Sequence, residues 1–325
     1  MFSILTTTAA SQALAATGVL LSTAAILYSQ HVRRNRRGIP KDKERVVVIG
    51  GGSGIGRAIA HIYSTRGAKV CIVGRQGDAL ESVKDECVEL RAKVAKLGEA
   101  DAVITVVADF ADAEDMVKLR EVLVKVWNGV DTVIVSAGVS ALRPLLEVAG
   151  VHNKGDEARV DDVQKTIDVS NAAVRGNYTG PLVTAVTLIP LLQSSSSSPS
   201  ILLISSLAAL VPAPTRSLYG STKSASLLLY QSLAIEHPQI TFTAAIPATV
   251  EGNFRASAVD QGPVRETDPN RHGLKREYVA RRCVEAVDAQ HKTVLLPYWY
   301  ARLGHLLYWV VPSVTEYFAR RKYNF

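Results

Sequence analysis

A run of β-branched residues, Val46-Val47-Val48-Ile49, breaks directly into Gly50-Gly51-Gly52-Ser53-Gly54-Ile55-Gly56, and a helix-type sequence follows over 57–66. A short, wholly apolar run bounded by glycine reads as a strand buried on both faces, which belongs to a parallel sheet covered by helices. A glycine turn between such a strand and a helix lets backbone N–H groups approach a phosphate, and the helix N-terminus adds partial positive charge. The spacing Gly50-x-x-x-Gly54-x-Gly56 is common by itself. Its place between strand and helix makes it a dinucleotide site.

The same alternation continues along the chain. Strands are expected at 69–73, 103–107, 132–136, 201–205, 240–245 and 293–297. Helices are expected at 78–97, 113–126, 163–192, 219–236 and 276–290. This predicts an α/β fold, a Rossmann-type doubly wound parallel sheet in a single domain over 46–297. Residues 148–162 read as a polar surface insertion, Ser194–Ser198 with Pro199 as a low-complexity turn, and 251–275 as an irregular lid over a substrate.

The termini differ from this core. Residues 1–30 carry no charged side chain, and 9–28 supply the roughly 20 positions a helix needs to cross a bilayer. No positive residue precedes Arg33, so an uncleaved membrane anchor over 1–32 is expected, rather than a cleaved leader or a transit peptide. A basic linker, 33–45, carries a net +5, and Arg320, Arg321 and Lys322 add +3; the whole chain is +7, so the remainder is nearly neutral. Basic excess beside apolar segments favours an anionic membrane surface over a polyphosphate groove, so no nucleic-acid partner is expected. The positive-inside rule then puts the main domain in the cytosol. The tail, 298–325, is aromatic (Tyr298, Trp299, Tyr300, Tyr308, Trp309, Tyr317, Phe318) and interrupted by Arg302 and His305. It reads either as a helical membrane-interface segment or as a helix packed on the domain or on a second subunit. Cys71, Cys87 and Cys283 are scattered without metal-ligand spacing, as in a reducing compartment, and no metal site is expected.

The second strand bears on cofactor type. It ends Ile72-Val73-Gly74-Arg75, without the carboxylate that an NAD-preferring site uses to bind the ribose 2′-hydroxyl. Arg75 offers a planar cation suited to a 2′-phosphate, so NADP(H) is expected in preference to NAD(H). Asp109, after the third strand, could accept from an adenine amino group or cap the next helix.

Ser206, Tyr219 and Lys223 carry the chemistry. Hydride reduction of a carbonyl needs a proton donor at the developing alkoxide and a second hydrogen bond that fixes the oxygen. A free tyrosine has a pKa near 10, so acting near neutrality takes about 4 kcal/mol of tyrosinate stabilisation. One ammonium at ~4–5 Å supplies roughly 3–4 kcal/mol at an effective dielectric of 20. Lys223 lies one turn after Tyr219 on the same helix face. Ser206 closes the strand Ile201-Leu202-Leu203-Ile204-Ser205-Ser206 at the sheet's carboxyl edge, where ligands sit in open α/β folds. A Tyr-x-x-x-Lys alone is common on solvated helices; the serine in its strand context makes the combination specific.

These residues resemble the short-chain dehydrogenase/reductase family over 46–297. Gly50, Gly54 and Gly56 match its glycine motif, Ser206 (rather than Ser205) its serine, and Tyr219-Gly220-Ser221-Thr222-Lys223 its YxxxK. The resemblance implies a fourth catalytic residue, Asn177 of Asn177-Tyr178-Thr179-Gly180, holding a water near Lys223. It also implies cofactor contacts at Gly50, Ser53, Gly54, Ile55, Gly56, Arg75, Asp109, Ala137, Gly138, Tyr219, Lys223, Pro247, Thr249 and Val250, and a homodimer. Four departures stand out. Ile49 replaces the usual Thr, Val135-Ser136-Ala137-Gly138 lacks both asparagines of NNAG, and Pro247-Ala248-Thr249-Val250-Glu251-Gly252 departs from P-G-x-V-x-T. The polar insertion also lengthens the path to Asn177. Anchor plus tail resembles the membrane-bound branch with 11β-hydroxysteroid dehydrogenase-like and 3-ketosphinganine reductase-like enzymes. That implies residence in the endoplasmic reticulum or a similar membrane, and a lipophilic ketone or secondary alcohol as substrate. The competing readings are a non-catalytic binding or scaffold protein on the same fold at a membrane, and an isomerase or lyase using the same pocket.

Overall fold

The computed structural model describes residues 38–94, 101–265 and 269–325. Among them, seven parallel strands form one sheet in the order β3-β2-β1-β4-β5-β6-β7. In chain order these are β1 (Arg45–Ile49), β2 (Lys69–Gly74), β3 (Val103–Val107), β4 (Thr132–Val135), β5 (Ser200–Ile204), β6 (Thr241–Pro247) and β7 (Thr293–Leu296). The helices are α1 (Gly54–Ser64), α2 (Gly77–Ala92), α3 (Ala113–Trp127), α4 (Leu145–Val148), α5 (Val160–Val174), α6 (Gly180–Ser195), α7 (Ser217–Glu236), α8 (Pro269–His272), α9 (Arg276–Asp288), α10 (Tyr298–Val310) and α11 (Pro312–Tyr323). β1 pairs with β2 on one side and β4 on the other, so the winding direction reverses there. A crevice opens above the strand ends at that switch point, where ligands bind in doubly wound sheets.

The alternation along β1 explains the two layers. Val46 and Val48 pack with Ile59, Tyr63, Leu80 and Val284 in one core, whereas Val47 and Ile49 pack with Met116, Leu123, Leu188 and Leu192 in the other. Successive side chains of a strand point to opposite faces, and each is buried, hence the unbroken apolar run. Burying each such side chain stabilises the fold by about 1.5–3 kcal/mol. The three cysteines are buried, and burial pushes every thiol above its ordinary value, Cys87 to about 11. They are packing residues.

Several boundaries differ from expectation. The predicted helix over 163–192 is two helices, α5 and α6, joined by a wide π-type turn, Arg175–Thr179. α5 begins at Val160, where the Asp162 carboxylate accepts the Arg159 N–H at 3.1 Å, so the surface insertion is shorter than expected. β6 runs on through Pro247, which pairs in register with Leu296 of the last strand. The expected lid holds a 3₁₀ turn, Phe254–Ser257, and the one-turn helix α8. Arg45, assigned to the linker from sequence, opens β1: its guanidinium donates to the Asp131 carboxylate at 2.9 Å and to the carbonyl oxygens of Asn128 and Ser195.

The predicted anchor over 1–32 and the linker up to residue 37 lie outside the described residues. Among the described residues, no helix is long and apolar enough to cross a membrane. The aromatic tail forms α10 and α11, which fold back over the carboxyl edge of the sheet and line the crevice.

Candidate active site

The crevice is a cavity of about 1370 Å³, walled by the loops that follow the strands and by α10 and α11. Its phosphate end begins where β1 stops. The Gly50 and Gly51 N–H groups donate to the Val73 carbonyl at 2.8 and 3.1 Å, turning the chain away from the sheet. Gly50 takes φ +80°, and a Cβ there would sit 2.6 Å from the Ala137 nitrogen. A Cβ at Gly56 would sit 2.2 Å from the Gly50 carbonyl, so only glycine lets α1 pack this tightly on the turn. At Gly54 a Cβ would meet nothing within 4 Å, which leaves open space at the helix N-terminus. Ser53 and Ile55 line that space, and the Ser53 hydroxyl makes no capping bond to α1. This cradle fits a pyrophosphate by backbone amides and helix dipole. Gly56 itself stands behind the wall as the packing glycine.

Beyond β2 the exposed Arg75 lines the cavity, and the first acid after the strand is Asp78, inside the first turn of α2. Asp109 also lines it. The Asp109 carboxylate accepts from the Ala111 N–H at 3.0 Å and pairs with Arg175 at 3.0 Å. Burial opposes its ionisation, but those two donors outweigh it and hold the carboxyl below its ordinary range, with Arg75 adding to the effect. The capping role considered for Asp109 belongs to Asp112, whose carboxylate accepts the Asp115 N–H at 3.0 Å. Arg175, at the head of the π turn, escaped the sequence analysis.

The centre of the cavity is built by α7 and the loops after β4 and β5. Lys223 is only 4% exposed, and its Nζ donates to the Ile204 carbonyl at the end of β5, at 3.0 Å. Burial pushes its ammonium down to about 8. A Cβ on Gly138 would fall 3.1 Å from the Lys223 Nζ and 2.9 Å from the Asn177 Oδ1, so these three residues meet. The fully buried Asn177 carboxamide accepts from the Val139 N–H at 2.9 Å and donates to the Val139 carbonyl at 3.0 Å and to the Thr222 Oγ1 at 3.1 Å. It follows the polar insertion and lies buried within the π turn Arg175–Thr179. Asn177 lies behind the cavity wall and braces the β4 loop against α7.

Ser206 has an extended backbone, lines the cavity, and its Oγ accepts from the Ala208 N–H at 3.2 Å. Ser205 is buried at the strand end, where its N–H donates to the Ala245 carbonyl, so the more accessible hydroxyl is that of Ser206. Tyr219 lines the cavity, its ring centroid 5.9 Å from that of Phe254 with the two planes steeply inclined. Against the same ring, at 5.7 Å, stands the guanidinium of Arg216, a residue the sequence reading passed over. Ala137, Pro247, Thr249 and Val250 complete the wall, and Lys322 from α11 reaches the Thr249 hydroxyl at 3.4 Å.

The cavity wall supplied by α10 and α11 is largely apolar. Tyr300, Leu303 and Leu307 of α10 and Val314, Phe318 and Tyr323 of α11 line it. Residues 300, 303, 304 and 307 follow the i, i+3, i+4, i+7 spacing of one helix face, a signal present in the sequence. The opposite side of the pair leaves Trp299 and Trp309 71% and 74% exposed. Among the described residues no cluster of metal-ligating side chains occurs.

Comparison with known proteins agrees with this geometry. The family model for short chain dehydrogenases matches residues 44–262. The chain is 25% identical over 288 residues to the dehydrogenase/reductase SDR family member 7B of Xenopus tropicalis, covering 87% of this chain and 86% of that one. It is 26% identical over 290 residues to an 11-beta-hydroxysteroid dehydrogenase A of Sesamum indicum, covering 86% of this chain and 75% of that one. Among solved structures, a short chain dehydrogenase/reductase from Burkholderia phymatum in complex with NAD superposes with a TM-score of 0.67 at 20% identity, over 84% of this chain and 96% of that one. An alcohol dehydrogenase from Thermococcus sibiricus complexed with 5-hydroxy-NADP gives 0.60 at 20% identity, over 78% and 95%. With its parallel sheet, glycine cradle and matched segment, the chain belongs to the short chain dehydrogenase family of NAD(P)-dependent oxidoreductases.

Proposed function

We propose that this protein is a membrane-associated, NADP(H)-preferring oxidoreductase acting on a lipophilic ketone or secondary alcohol, with Tyr219 as its general acid and base. One observation carries the reading. A single cavity is lined by the glycine cradle and Arg75, by Ser206, Tyr219 and Lys223, and by a largely apolar wall from α10 and α11.

In the reducing direction, the Ser206 hydroxyl and the Tyr219 phenol hydrogen-bond the substrate's carbonyl oxygen, and Tyr219 delivers the proton as negative charge develops there. The ammonium of Lys223 stabilises the tyrosinate left behind. Asn177 keeps the β4 loop and α7 at a fixed separation through Val139 and Thr222. Gly50, Ser53, Gly54, Ile55, Ala137, Gly138, Pro247, Thr249 and Val250 would hold the dinucleotide, with Asp109 near its adenine. The nicotinamide, when bound, supplies or takes the hydride.

NADP(H) preference is supported by the exposed Arg75 and by the missing acid at the end of β2. A lipophilic substrate is supported by the α10–α11 wall. The outward aromatic face of those helices and the uncharged residues 1–30 support attachment to a membrane. An exposed apolar stripe on α5 (Val160, Val163, Ile167), with Leu228 and Ile235 on α7, suits a homodimer. The scaffold reading is disfavoured by Lys223: a binding protein has no use for an ammonium held in a buried site at a cost in stability.

The test is NADPH oxidation by the full-length protein in detergent against a panel of lipophilic ketones. Wild type turns over, and Tyr219→Phe loses about 10²–10⁴-fold in rate while still binding NADPH. Cofactor binding with no turnover of any ketone or alcohol would favour the scaffold. Product without net cofactor oxidation would favour an isomerase or lyase.

A further inference from the structure

We infer that Arg216 is a positioning residue for Tyr219, a second fixed cation that holds the ring against the cavity wall and favours its phenolate form. The inference rests on the reading of Tyr219 as the acid/base.

Arginine is rarely buried, and this one is 6% exposed. It stands at the N-terminal boundary of α7, three residues before Tyr219, and its carbonyl accepts the Gly220 N–H at 2.6 Å. Its Nη1 donates to the Ser140 Oγ at 3.0 Å and to the Ala141 carbonyl at 3.2 Å. These two acceptors belong to the loop after β4. That loop also carries Gly138 and Val139, which meet Lys223 and Asn177. The guanidinium therefore ties the first turn of α7 to the loop behind the reacting groups. Its own carbon sits 5.7 Å from the Tyr219 ring centroid, and the Phe254 ring packs on the same tyrosine at a steep inclination.

A unit charge at ~6 Å in an effective dielectric of 20 changes an ionisation constant by up to about a hundredfold, and nearer tenfold when the hydroxyl lies farther than the ring centre. Among the described residues, several other charged groups share the cavity. These are Lys223 of α7, Arg255 of the 3₁₀ turn, Glu251 of the loop after β6, Arg276 of α9, Lys322 of α11, and Arg75, Asp109 and Arg175 at the cofactor end. Glu251 is paired with Lys275 at 2.7 Å, so its charge is partly compensated. Lys223 lies in a site where burial weakens its hold on the proton, so its charge fades as pH rises past about 8. A guanidinium keeps its charge throughout that range. The two cations thus act over different pH windows on one phenol.

The experiment is an ultraviolet tyrosinate titration of the full-length, cofactor-free protein in detergent. The chain has 11 tyrosines, so the signal of Tyr219 is taken as the difference from Tyr219→Phe. Each Arg216 variant is compared with the same variant carrying Tyr219→Phe. Arg216→Gln can still donate to Ser140 and Ala141 but has no charge, and it should raise the Tyr219 midpoint by about one pH unit, a tenfold loss of phenolate at a given pH. Arg216→Lys should leave the midpoint near the wild-type value. Once a substrate is in hand, the acidic limb of the oxidation profile should move with it. An unshifted midpoint in Arg216→Gln, with its circular dichroism unchanged, overturns the inference. So does an equal shift in Arg216→Lys, which would mean that packing rather than charge is responsible. Failure of the underlying reading looks different: Tyr219→Phe would leave turnover intact in every Arg216 background.

Discussion

Replacing Lys223 by methionine should make the protein more stable and less active, and the structure allows the size of the first effect to be worked out. In the folded chain the ammonium is held at about 8 against an ordinary value of 10.5, with burial as the cause. At about 1.4 kcal/mol per unit, keeping this group charged costs the folded state about 3 kcal/mol at neutral pH. Methionine removes that penalty but also the hydrogen bond to the Ile204 carbonyl, which offsets about 1 kcal/mol. A net gain of about 2 kcal/mol is expected for the cofactor-free protein. The sign follows from proton binding. Below about pH 8 the lysine is protonated in both folded and unfolded chains, so the penalty is present in full. Between about 8 and 10.5 the unfolded chain holds the proton more tightly, wild-type stability rises relative to the variant, and the advantage of methionine is gone by about 10.5. Urea unfolding of wild type and Lys223→Met side by side, at pH 7 and at alkaline pH, reads this difference while common titrations cancel. A variant no more stable than wild type at pH 7, or an advantage that persists unchanged to high pH, would refute the reasoning. Turnover should fall by two to three orders of magnitude, the equivalent of losing about 3–4 kcal/mol of tyrosinate stabilisation.

Other expectations follow from the same geometry. Arg75→Asp should lower the efficiency with NADPH by about tenfold to a hundredfold and raise that with NADH, as steady-state kinetics with both cofactors would reveal. Gly56→Ala drives a Cβ into the Gly50 carbonyl at 2.2 Å, so calorimetry should find binding of either cofactor weakened more than about tenfold, whereas an Ala at Gly54 meets open space but pays for φ +56°. Asn177→Ala strips partners from the Val139 N–H, the Val139 carbonyl and the Thr222 hydroxyl, and thermal unfolding should show a loss of about 2–4 kcal/mol.

How far the sequence could be read depended on whether a feature was periodic or spatial. The seven strands were legible because buried parallel strands are short apolar runs with sharp ends, and the glycine turn was legible from its strand–helix context. The π turn at Arg175–Thr179 was not, because its residues keep helical dihedral angles and the apolar period slips by a single position. Asn177 was singled out through its motif alone. Its service as a brace between Val139 and Thr222 depends on elements 38 and 45 residues away. Arg216 reads in sequence as a solvated charge ahead of a helix, whereas in the fold it is buried and bonded to the loop after β4. The tail was recognised as aromatic, but its two faces were not separated, although the stripe at 300, 303, 304 and 307 was there to be counted.

On the proposed reading, α10 and α11 supply the greasy wall of the chamber from residues 298–325, so recognition of the reactant draws on a stretch of the gene far from the glycine turn. The glycine cradle and Arg75 come from the first quarter of the polypeptide. A graft that exchanged residues 298–325 for another sequence of the same helical lengths would alter which molecules fit without disturbing a single strand pairing. On that reading, selectivity is open to change by drift within residues 298–325, while the proposed chemistry stays fixed in the sheet.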